Sequence, residues 1–245
     1  MEEEKRIGNF TSSQMHRLCA SLKSGKPSVA FYSYVDDIIS EVNMGRSTDV
    51  QINTKPLKWG SLMEVVLFQK KEIELKYRMA HKLTIVHDKI KHYSGTPDLI
   101  NIGEKVGEIK CYYPKNFEKL SRCILKKDVE LFKKEFQKEY WQCISNAVLC
   151  DVDNAEIIAY MPYRDELIDI IKAVEDTNLL EGNNLNPSDY YFITHDDIET
   201  LPFLPNDSKM SNINRFEFIV PIEDKNFLIE RIKEAGKLLD EELKH

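Results

Sequence analysis

The sequence has few cysteines, and none of them are closely spaced. Its five cysteines form no C-x-x-C pair, and the six histidines show no metal-ligand spacing with them. Zinc and iron–sulfur sites are therefore poorly supported, because such sites need clustered ligands. The thiols are expected to stay reduced in a cytosolic chain.

Long apolar runs are also absent. No run approaches the roughly 18 residues that span a bilayer, and the amino-terminal segment MEEEKR is charged. We therefore expect no signal peptide, no transmembrane helix, no membrane partner and a cytoplasmic location. With 42% hydrophobic and 31% charged residues and no internal repeat, one globular domain over residues 1–245 is expected.

The net charge of −7 is divided unevenly along the chain. Residues 1–150 carry 25 Lys and Arg against 19 Asp and Glu, a net charge of +6, whereas residues 151–245 carry 9 against 22, a net charge of −13. A localised basic part is what a nucleic-acid backbone requires, although a lysine-rich helix surface is the alternative. We expect DNA to bind to the basic part, residues 1–150, and we expect the acidic part, residues 151–245, to make no contact with DNA.

Hydrophobic periodicity predicts an α/β chain. Polar, irregular stretches predict loops over residues 45–58 and 178–188. Helices are predicted from near Ser12 to Leu22 and over residues 30–42, 59–77, 128–150, 163–174 and 224–243, and strands over residues 83–87, 155–161, 190–194 and 214–220.

The start of the first predicted helix combines several polar groups. Thr11-x-x-Gln14 fits a capping box. The first turn would then present free N–H groups and the hydroxyl of Ser13, with Arg6 a few residues upstream. Such a helix end is a ready anion site, and an ordinary capped helix is the alternative.

A predicted hairpin lies in the segment TPDLINIGEKVGEIKC, residues 96–111. Two strand patterns, Leu99 to Ile102 and Val106 to Ile109, flank a turn at Gly103. With this turn, Asp98 falls opposite or diagonal to Glu108, and directly opposed residues have β-carbons about 4.5–5.5 Å apart.

Three charged side chains would meet on this hairpin. Lys110 shares the face of Glu108, since the two are separated by one residue on a strand. Carboxylates as close as Asp98 and Glu108 repel each other unless a cation or a shared proton lies between them. Oxygen ligands suit Mg²⁺ or Mn²⁺, whereas the alternative is the solvated face of an ordinary hairpin.

Two predicted helices carry isolated polar groups on apolar faces. Glu64 is the single charge in WGSLMEVVLF, so it needs a partner such as a metal or its bound water, unless it is partly exposed on an amphipathic helix. Gln142 and Asn146 form an i, i+4 polar pair within a buried face. Such a pair could equally serve only to hold the core together.

These motifs, in this order, resemble those of the PD-(D/E)XK nucleases, and within them the bacteriophage lambda exonuclease (YqaJ-like viral recombinase) group. RIGNFTSS resembles the family's opening motif, WGSLME its glutamate helix, TPD and EIK its two catalytic strands, and YWQ the glutamine helix. The resemblance implies a restriction-endonuclease-like α/β core, a mixed central β-sheet flanked by helices, over about residues 6–162. Residues 163–245 would then be an acidic extension of the same domain.

The resemblance also implies a role for each site residue. Asp98, Glu108 and the carbonyl of Ile109 would be metal ligands, and Lys110 would orient and activate the attacking water. Mg²⁺ is the implied cofactor, with Mn²⁺ as a substitute.

Further residues would support this site. Glu64 would be an additional acid beside the metal, and Gln142 would support the catalytic group. Arg6 and Ser13 would hold a DNA phosphate.

The activity implied is a Mg²⁺-dependent 5′-to-3′ exonuclease that degrades linear double-stranded DNA in phage-type recombination, encoded by a phage or prophage. Two alternatives remain at this point: an endonuclease of restriction or repair type, and a non-catalytic DNA-binding scaffold. Double-stranded DNA ends are the implied partner. A single-strand annealing protein and a ring-like homo-trimer are further partners that the sequence leaves open.

Overall fold

The computed structural model describes residues 5–48, 54–70, 73, 76–79 and 83–244. Helices and strands are interspersed along them, as expected for an α/β chain. The strands are β1 (Phe10–Thr11), β2 (Arg78–Met79), β3 (Ile85–Val86), β4 (Tyr93–Gly95), β5 (Leu99–Asn101), β6 (Lys105–Lys110), β7 (Asn154–Tyr160) and β8 (Ile213–Ile219). The helices are α1 (Met15–Cys19), α2 (Val29–Met44), α3 (Lys55–Phe68), α4 (Pro114–Ile124), α5 (Val129–Glu135), α6 (Gln137–Leu149), α7 (Arg164–Glu175), α8 (Asn178–Glu181), α9 (Tyr191–His195) and α10 (Ile222–Glu242), with 3₁₀ turns at Ser12–Gln14, Pro187–Tyr190 and Ile198–Thr200.

Five of these strands form one mixed sheet, in the order β2-β5-β6-β7-β8. The pairs β5–β6 and β7–β8 are antiparallel, whereas β6 and β7 are parallel. Parallel neighbours need a long crossover connection, and residues 111–153 supply it with the helices α4 to α6. A second sheet has the order β1-β4-β3.

Helices pack on both faces of the five-stranded sheet. Successive side chains of a strand point to opposite faces, so Ile157 and Ile158 of β7 enter different hydrophobic clusters. Ile157 packs in a cluster that includes residues of α1, α2, α6 and α10, and Ile158 in one that includes residues of α3 and α7. The predicted mixed sheet flanked by helices is therefore confirmed.

The acidic part of the chain contributes to the same core. Strand β8 pairs with β7 along its whole length, and Leu228, Ile232 and Leu239 of α10 are fully buried in the cluster that contains α1 and α2. No helix in the described part of the chain is both long and apolar enough to cross a membrane.

The predicted strand over residues 190–194 is wrong. Tyr190 is the last residue of the 3₁₀ turn Pro187–Tyr190, and the residues after it form the short helix α9. A short apolar run does not distinguish a strand from a buried helical segment, and here the neighbours Phe192 and Ile193 are both buried. Asn186 caps this turn, since its side chain accepts a hydrogen bond from the N–H of Ser188.

Two other helices differ from their predicted bounds. Residues 128–150 form two helices, because Phe136 has φ −134° and ψ 57°, outside the helical region. Helix α3 begins at Lys55, within the predicted loop, and Pro56 lies in its first turn, where a missing N–H leaves no helical hydrogen bond unmade. It ends at Phe68 instead of Tyr77. Residues 49–53 of the predicted loop lie outside the described residues.

Candidate active site

The β5–β6 hairpin brings Asp98 opposite Glu108. Leu99 pairs with Gly107, so the next pair outward is Asp98 with Glu108. Gly103 lies in the turn with a φ of +76°, which glycine adopts without strain. This is one of the two arrangements expected from the sequence, and it places both carboxylates at the open end of the hairpin.

Hydrogen bonds fix both carboxylates against strand β6. The N–H of Ile109 donates to Oδ2 of Asp98 over 2.8 Å. Nζ of Lys110 donates to Oε1 of Glu108 over 2.6 Å. The resemblance implied a ligand role for the carbonyl of Ile109, whereas the contact that the structure gives between Ile109 and Asp98 is made by its N–H.

Helix α6 supplies two amides to the same cluster. Oε1 of Gln142 accepts from Nζ of Lys110 over 3.3 Å, and Nδ2 of Asn146 donates to Oε2 of Glu108 over 3.0 Å. The spacing of four residues places both amides on one face of α6. Sequence reasoning left open whether this pair only held the core together; in the structure it contacts the charged residues directly.

Helix α3 approaches from the other face of the sheet and carries Glu64. Its neighbours Leu62, Met63 and Val65 are buried, whereas Glu64 is half-buried. Burial first, and then the negative charge of Asp98, raise the pKa of Glu64 well above its usual value. This carboxylate is therefore in an environment that opposes its ionisation.

The cluster has more carboxylates than cations. Burial and the charge of Asp98 raise the pKa of Glu108 to about 8, although Lys110 opposes this shift. Burial alone would lower the pKa of Lys110, but the charges of Glu108 and Asp98 outweigh it and raise that pKa well above its usual value. Three carboxyl groups around one ammonium give an excess of negative charge when they are ionised, and a further cation would neutralise it.

The donor atoms of these acids fit a hard cation, but they are not yet arranged around one. Carboxylate oxygens are the ligands that Mg²⁺ and Mn²⁺ prefer. Nevertheless, no three His, Cys, Asp or Glu side chains among the described residues are grouped as a metal site. Both oxygens of Glu108 face other donors, Lys110 and Asn146, so a cation would have to share or replace these contacts.

A cleft of about 400 Å³ opens onto this cluster. It brings Arg6 and Ser13 from the amino-terminal segment together with Glu64, Asp98 and Gln142. Its lining also includes residues that sequence reasoning did not assign, and Leu185, from a predicted loop, gave no local signal. The lining residues are Arg6, Thr11, Ser12, Ser13, Ser61, Glu64, Gly95, Thr96, Asp98, Gln142 and Leu185.

The predicted capping box at Thr11 is wrong. The side chain of Thr11 makes no capping hydrogen bond; its Oγ1 lies 3.4 Å from Oγ of Ser13 and 3.3 Å from the hydroxyl of Tyr34. The segment begins as the 3₁₀ turn Ser12–Gln14, and α1 has only 5 residues and ends at Cys19, so Leu22 is 54% exposed. So short a helix offers little dipole to an anion, and what remains at this end of the cleft is Arg6 and hydroxyl groups.

A close backbone approach at Gly95 shapes the floor of the cleft. A β-carbon at Gly95 would lie 2.5 Å from Cδ1 of Leu149 and closer still to Oγ of Ser12. Ser12 is itself held by a hydrogen bond of 2.9 Å from Oγ of Ser145, which also lies 2.8 Å from the hydroxyl of Tyr93. Glycine is therefore required here for lack of space, and not for an unusual φ.

Replacing Gly95 by alanine should therefore destabilise the protein. Overpacking of this kind typically costs about 1–3 kcal/mol of unfolding free energy. Gly60→Ala is a matched control, because a β-carbon at Gly60 meets nothing within 4 Å and alanine in a helix interior stabilises by about 0.5–1 kcal/mol relative to glycine. Urea unfolding of both variants measures the difference, and equal stabilities would contradict the close approach.

Comparisons with known proteins identify the fold. No protein-family model and no curated protein sequence matches the chain. Among solved structures, the chain is similar to an alkaline exonuclease, LHK-Exo, from Laribacter hongkongensis, with a TM-score of 0.64, 11% identity and coverage of 99% of this chain and 93% of that one. The same enzyme in complex with dAMP gives a TM-score of 0.63 at 11% identity, with the same coverage.

A second exonuclease has a similar structure. A phage-related exonuclease from Haemophilus somnus 129PT matches with a TM-score of 0.61 and 14% identity, covering 96% of this chain and 95% of that one. The likeness extends over nearly the whole chain in each case. The chain therefore has the fold of these exonucleases, in agreement with the restriction-endonuclease-like fold predicted from the sequence.

Proposed function

We propose that the chain belongs to the bacteriophage lambda exonuclease-like group of PD-(D/E)XK nucleases and is a metal-dependent deoxyribonuclease. The observation that carries this proposal is the meeting of Asp98, Glu108 and Lys110 with Gln142 beside one open cleft. A fold shared with two exonucleases over 96–99% of the chain supports it.

In this proposal Asp98 and Glu108 bind a divalent cation, with the carbonyl of Ile109 as a further ligand and Glu64 beside them. An oxygen-only donor set suits Mg²⁺, for which Mn²⁺ substitutes. The raised pKa values of Glu64 and Glu108 support a cation here, because crowded buried carboxylates ionise more readily beside a positive charge. When bound, the ion supplies Lewis-acid stabilisation of the phosphoryl group under attack.

Lys110 orients the attacking water. Its ammonium has three N–H donors, and Glu108 and Gln142 accept two of them. The third is left for a water molecule at the edge of the cleft. Gln142 thereby positions Lys110, and Asn146 positions Glu108 through its hydrogen bond of 3.0 Å.

The proposed substrate is the end of linear double-stranded DNA, degraded from 5′ to 3′ in phage-type recombination. Arg6 and Ser13 line the same cleft as Asp98, so a phosphate held by the guanidinium and the hydroxyl would lie near the proposed metal ligands. The net charge of +6 over residues 1–150 supports a polyanionic partner.

A test on closed and linear DNA separates this proposal from its alternatives. Linear and covalently closed circular duplexes are incubated side by side with Mg²⁺. The exonuclease proposal expects degradation of the linear form alone. Cutting of the closed circle would indicate an endonuclease, and loss of neither form would indicate a non-catalytic scaffold.

Replacing Arg6 by alanine should slow cleavage of 5′-phosphorylated ends and leave the slower rate on 5′-hydroxyl ends nearly unchanged. A terminal phosphate carries more charge than a phosphodiester, so it gains more from a guanidinium. On 5′-phosphorylated ends, the variant should lose about 1.5–3 kcal/mol of transition-state stabilisation, typical of a hydrogen bond to a charged group. Single-turnover rates on both kinds of end measure it.

The matched control is Arg46→Ala, since Arg46 is exposed and does not line the cleft. It should leave both rates unchanged. Equal slowing of both kinds of end by Arg6→Ala would mean that Arg6 holds the duplex or the fold and not the terminal phosphate.

We further propose that residues 1–245 act as one domain, with a catalytic core over about residues 6–162 and an acidic extension. The pairing of β8 with β7 supports this, because the extension completes the sheet that carries the site. A homo-trimer, a single-strand annealing partner and a cytoplasmic, phage-encoded origin are proposed from the family resemblance alone.

A further inference from the structure

A second, basic groove lies apart from the cleft. It has a volume of about 470 Å³ and runs between the residues that precede β4 and the last turns of α10. We call it the basic groove, because five of its ten lining residues are lysines. Its lining residues are Lys89, Ile90, Lys91, His92, Lys233, Gly236, Lys237, Asp240, Glu241 and Lys244.

Three of the five lysines in this groove carry charge that is not paired. Lys91 lies 2.5 Å from Asp240, and Lys237 lies 3.8 Å from Glu241. Lys89, Lys233 and Lys244 have no ion-pair partner within the described ranges, and all three are exposed. The groove therefore has a positive surface with free donors, although residues 151–245 are acidic as a whole.

The walls of the groove are tied to the segment that leads to the cleft. Nδ1 of His92 lies 3.0 Å from the carbonyl oxygen of Gly8, and its Nε2 lies 2.9 Å from Oδ1 of Asp240. His92 has a φ of +60°, a backbone conformation that residues other than glycine rarely adopt. The same residue thus connects α10 with the chain two residues after Arg6.

The groove and the cleft lie at opposite ends of strand β4. His92 immediately precedes the strand, and Gly95 at its end lines the cleft. Three residues of extended chain span about 10 Å. Because each strand of a duplex carries one phosphate per roughly 3.4 Å of helix axis, this distance corresponds to about three base pairs.

We propose that the basic groove binds the phosphate backbone of duplex DNA about three base pairs inward from the end held in the cleft. This inference rests on the proposed function. A duplex fits better than a single strand, because single-strand sites stack bases on aromatic side chains and no Phe, Tyr or Trp is among the described residues that line the groove. It departs from the expectation that the whole acidic part avoids DNA, since Lys233 and Lys244 belong to that part.

The test compares two double variants. Lys89→Gln with Lys233→Gln removes two unpaired charges of the groove. Lys172→Gln with Lys209→Gln is the control, because both lysines are exposed and lie outside the groove and the cleft. Within the part of the chain that the structure describes, Lys172 forms an ion pair only with Asp169 on its own helix. Binding to a 5′-phosphorylated duplex is measured by fluorescence anisotropy over a range of salt concentrations, without divalent metal.

The groove variant should bind the duplex more weakly. Its plot of log binding constant against log salt concentration should have a slope shallower by about 2, since each lost phosphate contact reduces the slope by about 0.9. Replacing the phosphodiesters at base pairs two to four by uncharged methylphosphonates should weaken wild-type binding and leave the groove variant little further affected. A single-stranded oligonucleotide of equal length should show no comparable difference. The groove proposal is overturned if the groove and control variants have equal slopes, or if the difference appears only on the single strand.

The outcome for the groove can be separated from the outcome for the nuclease. A wild-type protein that degrades linear duplex, with a groove variant equal to the control, would overturn the groove alone. Failure of the wild-type protein to bind or degrade duplex DNA would overturn the proposed function, and the groove proposal with it.

Discussion

Asp98→Asn and Glu108→Gln are each expected to lower DNA cleavage by about a thousandfold or more and to weaken the binding of Mn²⁺. Each substitution removes one negative charge from the donor set while nearly keeping the size of the side chain. A loss of several kcal/mol of stabilisation by a bound metal corresponds to such a factor, since about 1.4 kcal/mol is tenfold in rate. Single-turnover cleavage and calorimetry with Mn²⁺ measure the two effects.

Glu156→Gln is the matched control for this prediction. Glu156 is 3% exposed and Glu108 is 2% exposed, and both lie on neighbouring strands of the same sheet. Glu156, however, accepts hydrogen bonds from Arg215 and Tyr77 and does not line the cleft. Its loss should lower thermal stability and leave Mn²⁺ affinity unchanged. If Mn²⁺ affinity is also unchanged in both site variants, Asp98 and Glu108 are not the metal ligands.

Lys110→Ala is expected to remove most cleavage while metal binding survives. Proton-transfer and water-orienting groups typically contribute a factor of about 10²–10⁴ in rate. The substitution removes a competing cation 2.6 Å from Glu108, so the affinity for Mn²⁺ should be retained or increased. The same pair of measurements, cleavage and calorimetry, separates this pattern from that of the acid variants.

Lys105→Ala controls for the loss of a partly buried lysine from strand β6. The side chains of Lys105 and Lys110 are 13% and 17% exposed, and Lys105 pairs with Glu217 at the opposite end of the strand. This variant should keep its cleavage rate at temperatures where it is folded. If the Lys110→Ala variant loses Mn²⁺ binding together with cleavage, Lys110 maintains the structure of the site and does not act by orienting the water.

The hairpin that carries the candidate site could be predicted from the sequence, because its determinants are local. Short segments rich in apolar residues lie on both sides of Gly103, and glycine permits the positive φ of the turn. The strand period of two then placed Glu108 and Lys110 on one face. The single charge of Glu64 in an apolar helix similarly indicated an acid that needs a partner.

Other features depended on contacts between distant parts of the chain. Asn146 donates a hydrogen bond to Glu108, which is 38 positions away in the sequence. Ser145 donates one to Ser12, which is 133 positions away. The short helix α9 also could not be predicted, because a short apolar run is compatible with a strand and with a buried helical segment.

Local spacing was therefore sufficient to predict the α/β class, the hairpin and the identities of its acids and lysine, since these follow from patterns within about ten residues. Local spacing did not predict which helices complete the site or where the unpaired lysines gather, because both depend on how the folded chain packs. Lys91 and Asp240 meet across 149 positions, and a contact at that separation depends on how the sheet and helices pack, which no local spacing encodes. For the same reason a net charge of −13 over residues 151–245 did not reveal the basic groove, which forms where α10 packs beside the start of β4.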